Sequence, residues 1–353
     1  MKKKYIRNII FTRTPLTGVF RYKDEFQVYP LNKKNAPYSS KGPEFPVIIE
    51  YSYDKNDIKS IEAFDDEAVD KKMAETTLQT NKLIQLTDLL SAITNHRFFF
   101  YRHPEKKWAL PIPEKFDDSN REQLNNSSST KAILIYYYPN IGADMQISRL
   151  STPLISAIPQ IEPRKYYYFN PVESVNKVIT FPNNIHKVLG KYYCLNAKEH
   201  KIVSSAVYQI CNGLDLQKNM KSLSFFSFVS SIETLITHEY QGEKLEFACK
   251  ECQTLKSSPR VCRKCGSPKW GIAEKFREFL LKYVSSAEGA RKMYSKIYSI
   301  RSKISHTEYL INGENFLNWD FDDKSQEVSM KHLEVVQLSR RSLVNWLLKK
   351  DEP

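Results

Sequence analysis

The distribution of proline divides this chain into two parts with different architectures. Five prolines occur between residues 150 and 185, whereas none occurs between Pro182 and Pro259. Proline cannot donate the backbone hydrogen bond of a helix interior, and its ring clashes with the preceding turn, so the first segment cannot hold a long helix. The chain has 353 residues, and roughly 150 residues per domain is typical. We therefore expect one domain in residues 1–190 and a second in residues 191–353.

The pattern of residues 1–190 predicts an α+β domain. A run of β-branched and aromatic residues at 45–53, bounded by turn-forming residues, is typical of a strand. Leucines at helical spacing predict a helix from about residue 75 to 94. Further strands are expected at 96–103 and 132–138. The role of this domain is open, and it could sense a trigger ligand or position a substrate.

The pattern of residues 191–353 predicts an all-α helical bundle. Apolar residues recur at helical spacing in five segments, which are 196–211, 222–238, 272–284, 288–305 and 328–348. In the second of these segments the apolar residues surround most of the helix circumference, so we expect a buried central helix.

Four of the six cysteines form a pattern that is typical of a zinc site. Two Cys-x-x-Cys pairs are separated by nine residues, and their members are Cys249, Cys252, Cys262 and Cys265. Four thiolates complete a tetrahedral Zn²⁺ shell, which makes the predicted zinc structural. A redox dithiol or free thiols are the alternative. The predicted lobe, residues 246–270, is an insertion between two helices of the bundle. Cys194 and Cys211 lack partners at ligand spacing and are expected in the core.

The charge of the chain indicates its binding partners. There are 53 Lys and Arg against 40 Asp and Glu, a net charge of +13. Residues 240–310 hold 15 basic and 7 acidic residues. A basic surface favours a polyanion such as RNA, although a solvated basic surface explains the composition equally well. The sequence contains no Walker loop, no Gly-rich dinucleotide turn and no Gly-x-Ser-x-Gly elbow.

The amino-terminal sequence and the hydropathy pattern predict a soluble, cytoplasmic protein. No apolar run reaches the ~18 residues that a membrane span needs. The basic residues at the start are not followed by the apolar segment of a signal peptide, and Arg13 and Pro15 interrupt the sequence there.

The segment 288–305 is predicted to present two different faces. The expected core stripe consists of Met293, Ile297, Ile300 and Ile304. A second stripe at the same spacing consists of Ser295, Ser299, Ser302 and His306. Small hydroxyl residues allow another helix or a nucleic-acid backbone to approach closely. The alternative is a solvated face with a histidine favoured by the carboxyl end of the helix dipole.

Glu233 is an isolated carboxylate in an almost wholly apolar helix segment. A buried carboxylate without a partner is costly, so we expect a basic partner. An ion pair with Arg301 that orients the guanidinium is the functional hypothesis. A partially exposed Glu233, or a pair with another basic residue, is the alternative.

Other aromatic and histidine residues are weaker candidates. We expect His96 and His103 at the surface of a strand. The tyrosine runs 136–138 and 166–168 could stack on bases, but aromatic strands usually belong to the core.

Two tracts of the C-terminal part resemble a known family. Residues 298–306, in which four residues separate Arg301 from His306, resemble the motif of HEPN-superfamily ribonucleases. Residues 228–235 are similar to the Glu-bearing helix of the Apea-like branch of that superfamily. The resemblance covers about residues 196–348. It implies a HEPN-like fold for the bundle, and some members of the branch are anti-phage defence proteins.

The resemblance also implies a reaction and a site. Family enzymes cleave RNA without a catalytic metal, through attack of the 2′-OH on the adjacent phosphorus. His306 would transfer protons, Arg301 would stabilise the charge on the phosphate, and Glu233 would orient Arg301. Ser302 stands where family members often have Asn, Asp or His, and it cannot carry charge. Family enzymes commonly dimerise through this helix.

A second hypothesis comes from another class of protein. In it, the chain is a non-catalytic, zinc-stabilised scaffold that binds RNA or a protein, and Arg301 and His306 are structural. The catalytic hypothesis requires both side chains to face one cleft.

Overall fold

The computed structural model describes residues 3–31, 45–54, 67–100, 146–168, 177–241, 246–248, 255–257, 271–307, 309–311, 314 and 323–349. The chain divides into two compact units, of which the first comprises Met1–Glu162 and Pro171–Asn183 and the second comprises Pro163–Asn170 and Asn184–Pro353. The first unit contains an antiparallel sheet and the second is mostly helical. The expected succession of an α+β part and a helical part is therefore confirmed. The expected boundary at residue 190 falls inside a helix of the second unit.

The first unit is built on an antiparallel sheet with the strand order β2-β3-β4-β1-β5. Its strands are β1 (Lys3–Thr12), β2 (Phe20–Tyr22), β3 (Phe26–Pro30), β4 (Phe45–Asp54), β5 (Phe98–Phe99) and β6 (Gln146–Ile147). β1 pairs with β4 along its whole length, while β5 and β6 pair with opposite ends of β1. β7 (Gln160–Ile161) and β8 (Phe181–Pro182) form a separate parallel pair.

Helix α1 (Glu67–Ile93) completes the main elements of the first unit and contacts β4 and β5. It confirms the predicted helix and begins earlier than expected. The strand predicted at 45–53 is β4, and the one at 96–103 is present as the short β5. The strand predicted at 132–138 lies outside the described residues.

A buried carboxylate joins three strands of this sheet. β4 is buried from Val47 to Tyr53, and Glu50 within it has no exposed surface. Glu50 accepts hydrogen bonds from Arg7 Nε at 2.9 Å, Tyr29 Oη at 2.8 Å and the Ser151 amide at 2.7 Å. Burial alone would raise the pKa of Glu50, but these donors outweigh it and hold the pKa below its usual value. The charge of Glu50 is thus fully compensated within the sheet.

The second unit contains helices α2 to α8 and a small hairpin. The helices are α2 (Pro163–Tyr168), α3 (Ile185–Tyr193), α4 (Ala197–Leu216), α5 (Lys221–Glu239), α6 (Ile272–Tyr283), α7 (Ala290–His306) and α8 (Asp323–Lys349), and the hairpin strands are β9 (Glu246–Ala248) and β10 (Leu255–Ser257). Each of the five predicted helices is present. The proline-rich segment holds only short α2, whose first residue is Pro163, the helix position that tolerates proline. No helix within the described ranges has the length and apolar character that crossing a membrane requires.

Helix α5 is the predicted central helix. Its buried residues point in most directions, and it packs against α4, α6, α7 and α8. Gly213 of α4 allows a close approach, because a Cβ atom there would lie 2.7 Å from the ring of Phe228. At the other end of α4, Asn196 and Glu199 form a capping box that fixes where the helix begins.

We predict a loss of stability in mildly acidic solution because of the buried His332. Its Nε2 lies 2.9 Å from Ser224 Oγ, which donates to the Gly213 carbonyl, so Nε2 carries the proton of a neutral ring. Burial, assisted by the charge of Lys221, lowers the pKa of His332 to about 4. In the unfolded chain, His332 takes up a proton below pH ~6.5. In the folded chain it does so only near its lowered pKa of about 4, so protonation favours unfolding in between. The free energy of unfolding should therefore fall by up to ~3 kcal/mol between those values.

Chemical denaturation at pH 7.5 and at pH 4.5 measures this effect. His332→Gln keeps an N–H donor but removes the titrating group, so its loss of stability over the same interval should be much smaller. An equal loss in wild type and variant would contradict the assignment to His332.

Candidate functional site

The predicted core stripe of α7 is present at two of its four positions, Ile297 and Ile300. The buried residues are Ala290, Tyr294, Ile297 and Ile300, whereas Met293 and Ile304 are only half-buried. On the opposite side, Ser299 and His306 are exposed and Ser295 and Ser302 are half-buried. The serine stripe is thus accessible to solvent over part of its length.

Helices α5 and α7 bring Glu233 and Arg301 together. Arg301 Nη2 donates to Glu233 Oε2 at 3.0 Å, and only 19% and 15% of the two side chains are exposed. The predicted ion pair with Arg301 is therefore present, Glu233 pairs with no other basic residue among those described, and the carboxylate is only slightly exposed. A pair shielded from water to this degree is stronger than one on the open surface.

Three further side chains position the guanidinium of Arg301. Its central carbon lies 4.8 Å from the ring centre of Phe226 and 5.9 Å from that of Tyr298, distances typical of cation–π contacts. Arg301 Nη1 donates to Ser305 Oγ at 3.2 Å, and Ser305 Oγ donates to the Arg301 carbonyl at 2.9 Å. The side chain therefore runs toward the carboxyl end of α7, and its guanidinium reaches the residue directly before His306.

His306 and Ser302 lie apart from this cluster. His306 is the last residue of α7 and is exposed, and its side chain makes no hydrogen bond with a described residue. Five residues correspond to about 140° around a helix, so His306 and Arg301 leave α7 on different sides. The side chain of Ser302 likewise makes no hydrogen bond within the described part of the chain. The structure thus joins Glu233 and Arg301 directly, whereas neither His306 nor Ser302 contacts the pair through its side chain among the described residues.

Phe226, Tyr298 and Ser305 were not among the predicted site residues. Helical spacing could have identified them, because side chains three, four and seven positions apart share a face. Tyr298 and Ser305 are three residues before and four residues after Arg301, and Phe226 is seven residues before Glu233. The sequence analysis selected Ser302 instead because it directly follows the arginine.

Two polar atoms of the ion pair lack a hydrogen-bond partner among the described residues. These atoms are Glu233 Oε1 and Arg301 Nε, and both are buried. Burial, assisted by the negative charge of Glu233, raises the pKa of Tyr298 to about 12. Tyr298 thus remains a neutral hydroxyl near neutral pH, so it can donate or accept a hydrogen bond but cannot act as an anion.

The basic side chains of α7 continue beyond this pair. The helix contains six basic residues, counting His306, and no acidic one. Arg291 pairs with Glu274 and Glu278, and Lys296 pairs with Glu327. Lys292 and Lys303 form no ion pair with any described carboxylate. Their uncompensated charges lie on the same side of α7 as the serine stripe, since the spacing of these residues is helical.

The structure corrects several weaker expectations. His96 is buried, not at the surface, and the Thr180 amide donates to its Nε2 at 3.4 Å. Cys194 is exposed rather than in the core, whereas Cys211 is buried as expected. Tyr166 and Tyr167 are buried, but on helix α2 and not on a strand. The tyrosines at 136–138 and His103 lie outside the described residues.

The four cysteines of the predicted zinc site also lie outside the described residues. β9 and β10 pair antiparallel, with Ala248 opposite Leu255, and Cys249 and Cys252 fall between them in the sequence. The described ranges contain no group of three or more His, Cys, Asp or Glu that could hold a metal. Zinc therefore remains a prediction.

We expect one Zn²⁺ per chain in reduced, freshly purified protein, as measured by elemental analysis. Cys262→Ser should lower the bound zinc, because the ion would lose a thiolate, and Cys194→Ser serves as the matched control that should keep full occupancy. Protein without stoichiometric zinc would refute the prediction.

Comparison of the chain with models of known protein families, with curated proteins and with solved structures finds no match.

Proposed function

We propose that the second unit is a metal-independent endoribonuclease with a HEPN-like bundle and a structural zinc insertion. The observation that carries the proposal is the Arg301 guanidinium, which Glu233 holds from α5 and which donates to Ser305, the residue before His306 at the end of α7. The resemblance of residues 298–306 and 228–235 to HEPN ribonucleases supports it independently of the geometry.

The chemistry assigns a separate task to each residue. Histidine exchanges protons near neutral pH, so exposed His306 removes the proton from the 2′-OH or donates one to the leaving 5′-oxygen. Arg301 compensates the charge that develops on the phosphate oxygens. In this role Glu233 orients the guanidinium, and a phosphate would accept from the N–H groups of Nη1 and Nη2 that Ser305 and Glu233 do not use. Ser302 cannot carry charge and contributes at most a hydrogen bond.

The basic residues of α7 supply affinity for RNA. Lys292 and Lys303 have no carboxylate partner among the described residues, so a phosphate backbone can neutralise them and release bound counter-ions. Binding should therefore weaken as the salt concentration rises. A phosphate held by these lysines would lie on the same side of the helix as His306.

We further propose a homodimer that forms through the serine stripe of α7, as the family resemblance implies. Small side chains allow two copies of the helix to approach closely around a two-fold axis. Ser299→Arg should weaken the dimer, because a long charged side chain at this exposed position blocks the approach. Light scattering over a broad concentration range measures the effect, with Ser286→Arg, on the connection between α6 and α7, as a control. A monomeric wild type would refute the dimer.

The proposal is tested by incubating purified protein with total RNA and with tRNA in the presence of EDTA. Cleavage should persist, because the 2′-OH is the nucleophile, and the products should carry 2′,3′-cyclic phosphate and 5′-hydroxyl ends. A cleaving enzyme of this type would act as a toxin or an anti-phage defence ribonuclease in the cytoplasm, a role that rests on the family resemblance alone.

The alternative function is a binding scaffold. This alternative is favoured by the shielding of Arg301. Contacts with Glu233, Ser305 and Phe226 already cover much of its guanidinium, so less of it is open to a phosphate. In that case the protein would bind RNA with the salt dependence described above and leave it intact.

A further inference from the structure

A cavity of about 510 Å³ lies within the second unit, away from the Glu233–Arg301 pair. Its wall is formed by residues of α2, of the connection between α6 and α7, of the first half of α7 and of α8. The volume is within the range of about 300–1,000 Å³ that is usual for small-molecule sites.

One cationic side chain in this cavity has no counter-charge. Arg341 of α8 is half-buried and forms no ion pair with any described carboxylate. Its Nη2 donates to Tyr168 Oη at 2.7 Å and to the Val284 carbonyl at 3.3 Å, and its central carbon lies 4.0 Å from the ring centre of Tyr168. Neither Nε nor Nη1 has a hydrogen-bond partner among the described residues. Two donor nitrogens of a planar, stacked guanidinium therefore remain available.

Holding this cation without a counter-ion is unfavourable. Burial lowers the pKa of Arg341 from its usual value, and the neighbouring tyrosines only partly oppose that effect. An anionic group that accepted from Nε and Nη1 side by side would satisfy both donors and neutralise the charge. Carboxylate and phosphate have the geometry for such a paired contact.

The other residues of the cavity wall restrict the remaining chemical groups of the ligand. Met293, Ile297 and Leu338 provide an apolar surface, and Tyr294 adds an aromatic ring. Glu288 and Glu334 also line the cavity, and although Glu334 is paired with Lys331, the negative charge of Glu288 would repel a second anionic group. This combination suits one anionic group attached to a planar, apolar ring.

We propose that this cavity binds a small molecule that joins one carboxylate or phosphate group to an aromatic ring, with Arg341 receiving the anionic group. The site is separate from the proposed ribonuclease site, and its test requires no catalytic activity. Binding of RNA itself is not expected here, because a strand would bring several phosphates toward the two glutamates.

Isothermal titration calorimetry on the full chain tests the proposal with two matched pairs of probes. Indole-3-acetate is compared with neutral indole-3-acetamide, and adenosine monophosphate with neutral adenosine. We expect the anionic member of at least one pair to bind at least about tenfold more tightly than its neutral counterpart, since a hydrogen-bonded charge is worth that much. The pair that shows the difference identifies the anion as carboxylate or phosphate.

Two variants and a control locate the binding. Arg341→Gln should remove the preference for the anionic probe, whereas Arg291→Gln, an exposed arginine of α7 that does not line the cavity, should retain it. Because Arg341 also caps Val284, Ala287→Trp provides a second test by filling the cavity from an exposed position. Equal affinity for both members of each pair, absence of binding by all four probes, or unchanged binding by Ala287→Trp would overturn the proposal.

Discussion

Replacing His306 with alanine is expected to reduce RNA cleavage by about 10²–10⁴-fold, the usual contribution of general acid–base catalysis. The folded state should be unaffected, because His306 is exposed at the end of α7 and its side chain makes no hydrogen bond with a described residue. The loss should therefore appear in the rate of cleavage and not in the thermal unfolding temperature or in the zinc content.

A defined RNA in EDTA, with products resolved by gel, provides the measurement. His186→Ala is the matched control, because it removes another exposed histidine from the same unit. Wild-type cleavage by His306→Ala would exclude His306 from the chemistry. Immediate arrest by EDTA in a protein that stays folded would instead indicate a catalytic metal, and either result would favour the scaffold or a different site.

Replacing Arg301 with alanine is expected to have two effects that can be separated. Cleavage should fall by about 10²–10³-fold, because a preorganised charge on the phosphate is lost. Stability should also fall, by about 1–3 kcal/mol, because Glu233 would remain shielded from water without its partner.

The double variant Glu233→Gln with Arg301→Ala distinguishes catalysis from structure. Neutral glutamine no longer needs a cationic partner, so the double variant should regain part of the lost stability, as measured by chemical denaturation. Its cleavage should nevertheless stay as low as that of Arg301→Ala, assayed at a temperature where both variants are folded. Recovery of cleavage together with stability would show that the pair is only structural.

The Glu233–Arg301 ion pair was predictable from the sequence, but the other contacts of Arg301 were not. An isolated carboxylate in an apolar helix requires a partner wherever that helix packs, so Glu233 could be recognised, and Arg301 was the expected cation. The contacts of Phe226 and Ser305 with the guanidinium were not foreseen. These contacts depend on the conformation of the Arg301 side chain. Helical spacing offers several possible neighbours for that side chain but does not determine which of them it contacts.

Five helices of the second unit were recognisable in the sequence itself, whereas the short α2 and α3 were not predicted. Most of the five bury one face, and the 3.6-residue periodicity of that face is visible in a local window of residues. The strand β4 was also recognisable from its β-branched and aromatic residues. Its pairing with β1, more than thirty positions away in the sequence, was not, because strand pairing is a long-range contact with no local signal.

Burial of single polar residues was decided only by the tertiary structure. His96 is buried and Cys194 is exposed, the reverse of what their types and surroundings indicated. Arg341 lines a cavity whose wall is formed by residues of three helices and one connection. No pattern in the sequence around Arg341 indicates that position. Whether a side chain contacts water or another helix depends on how separate elements pack against each other. Those contacts join residues that are distant in the sequence, so no local pattern reveals them.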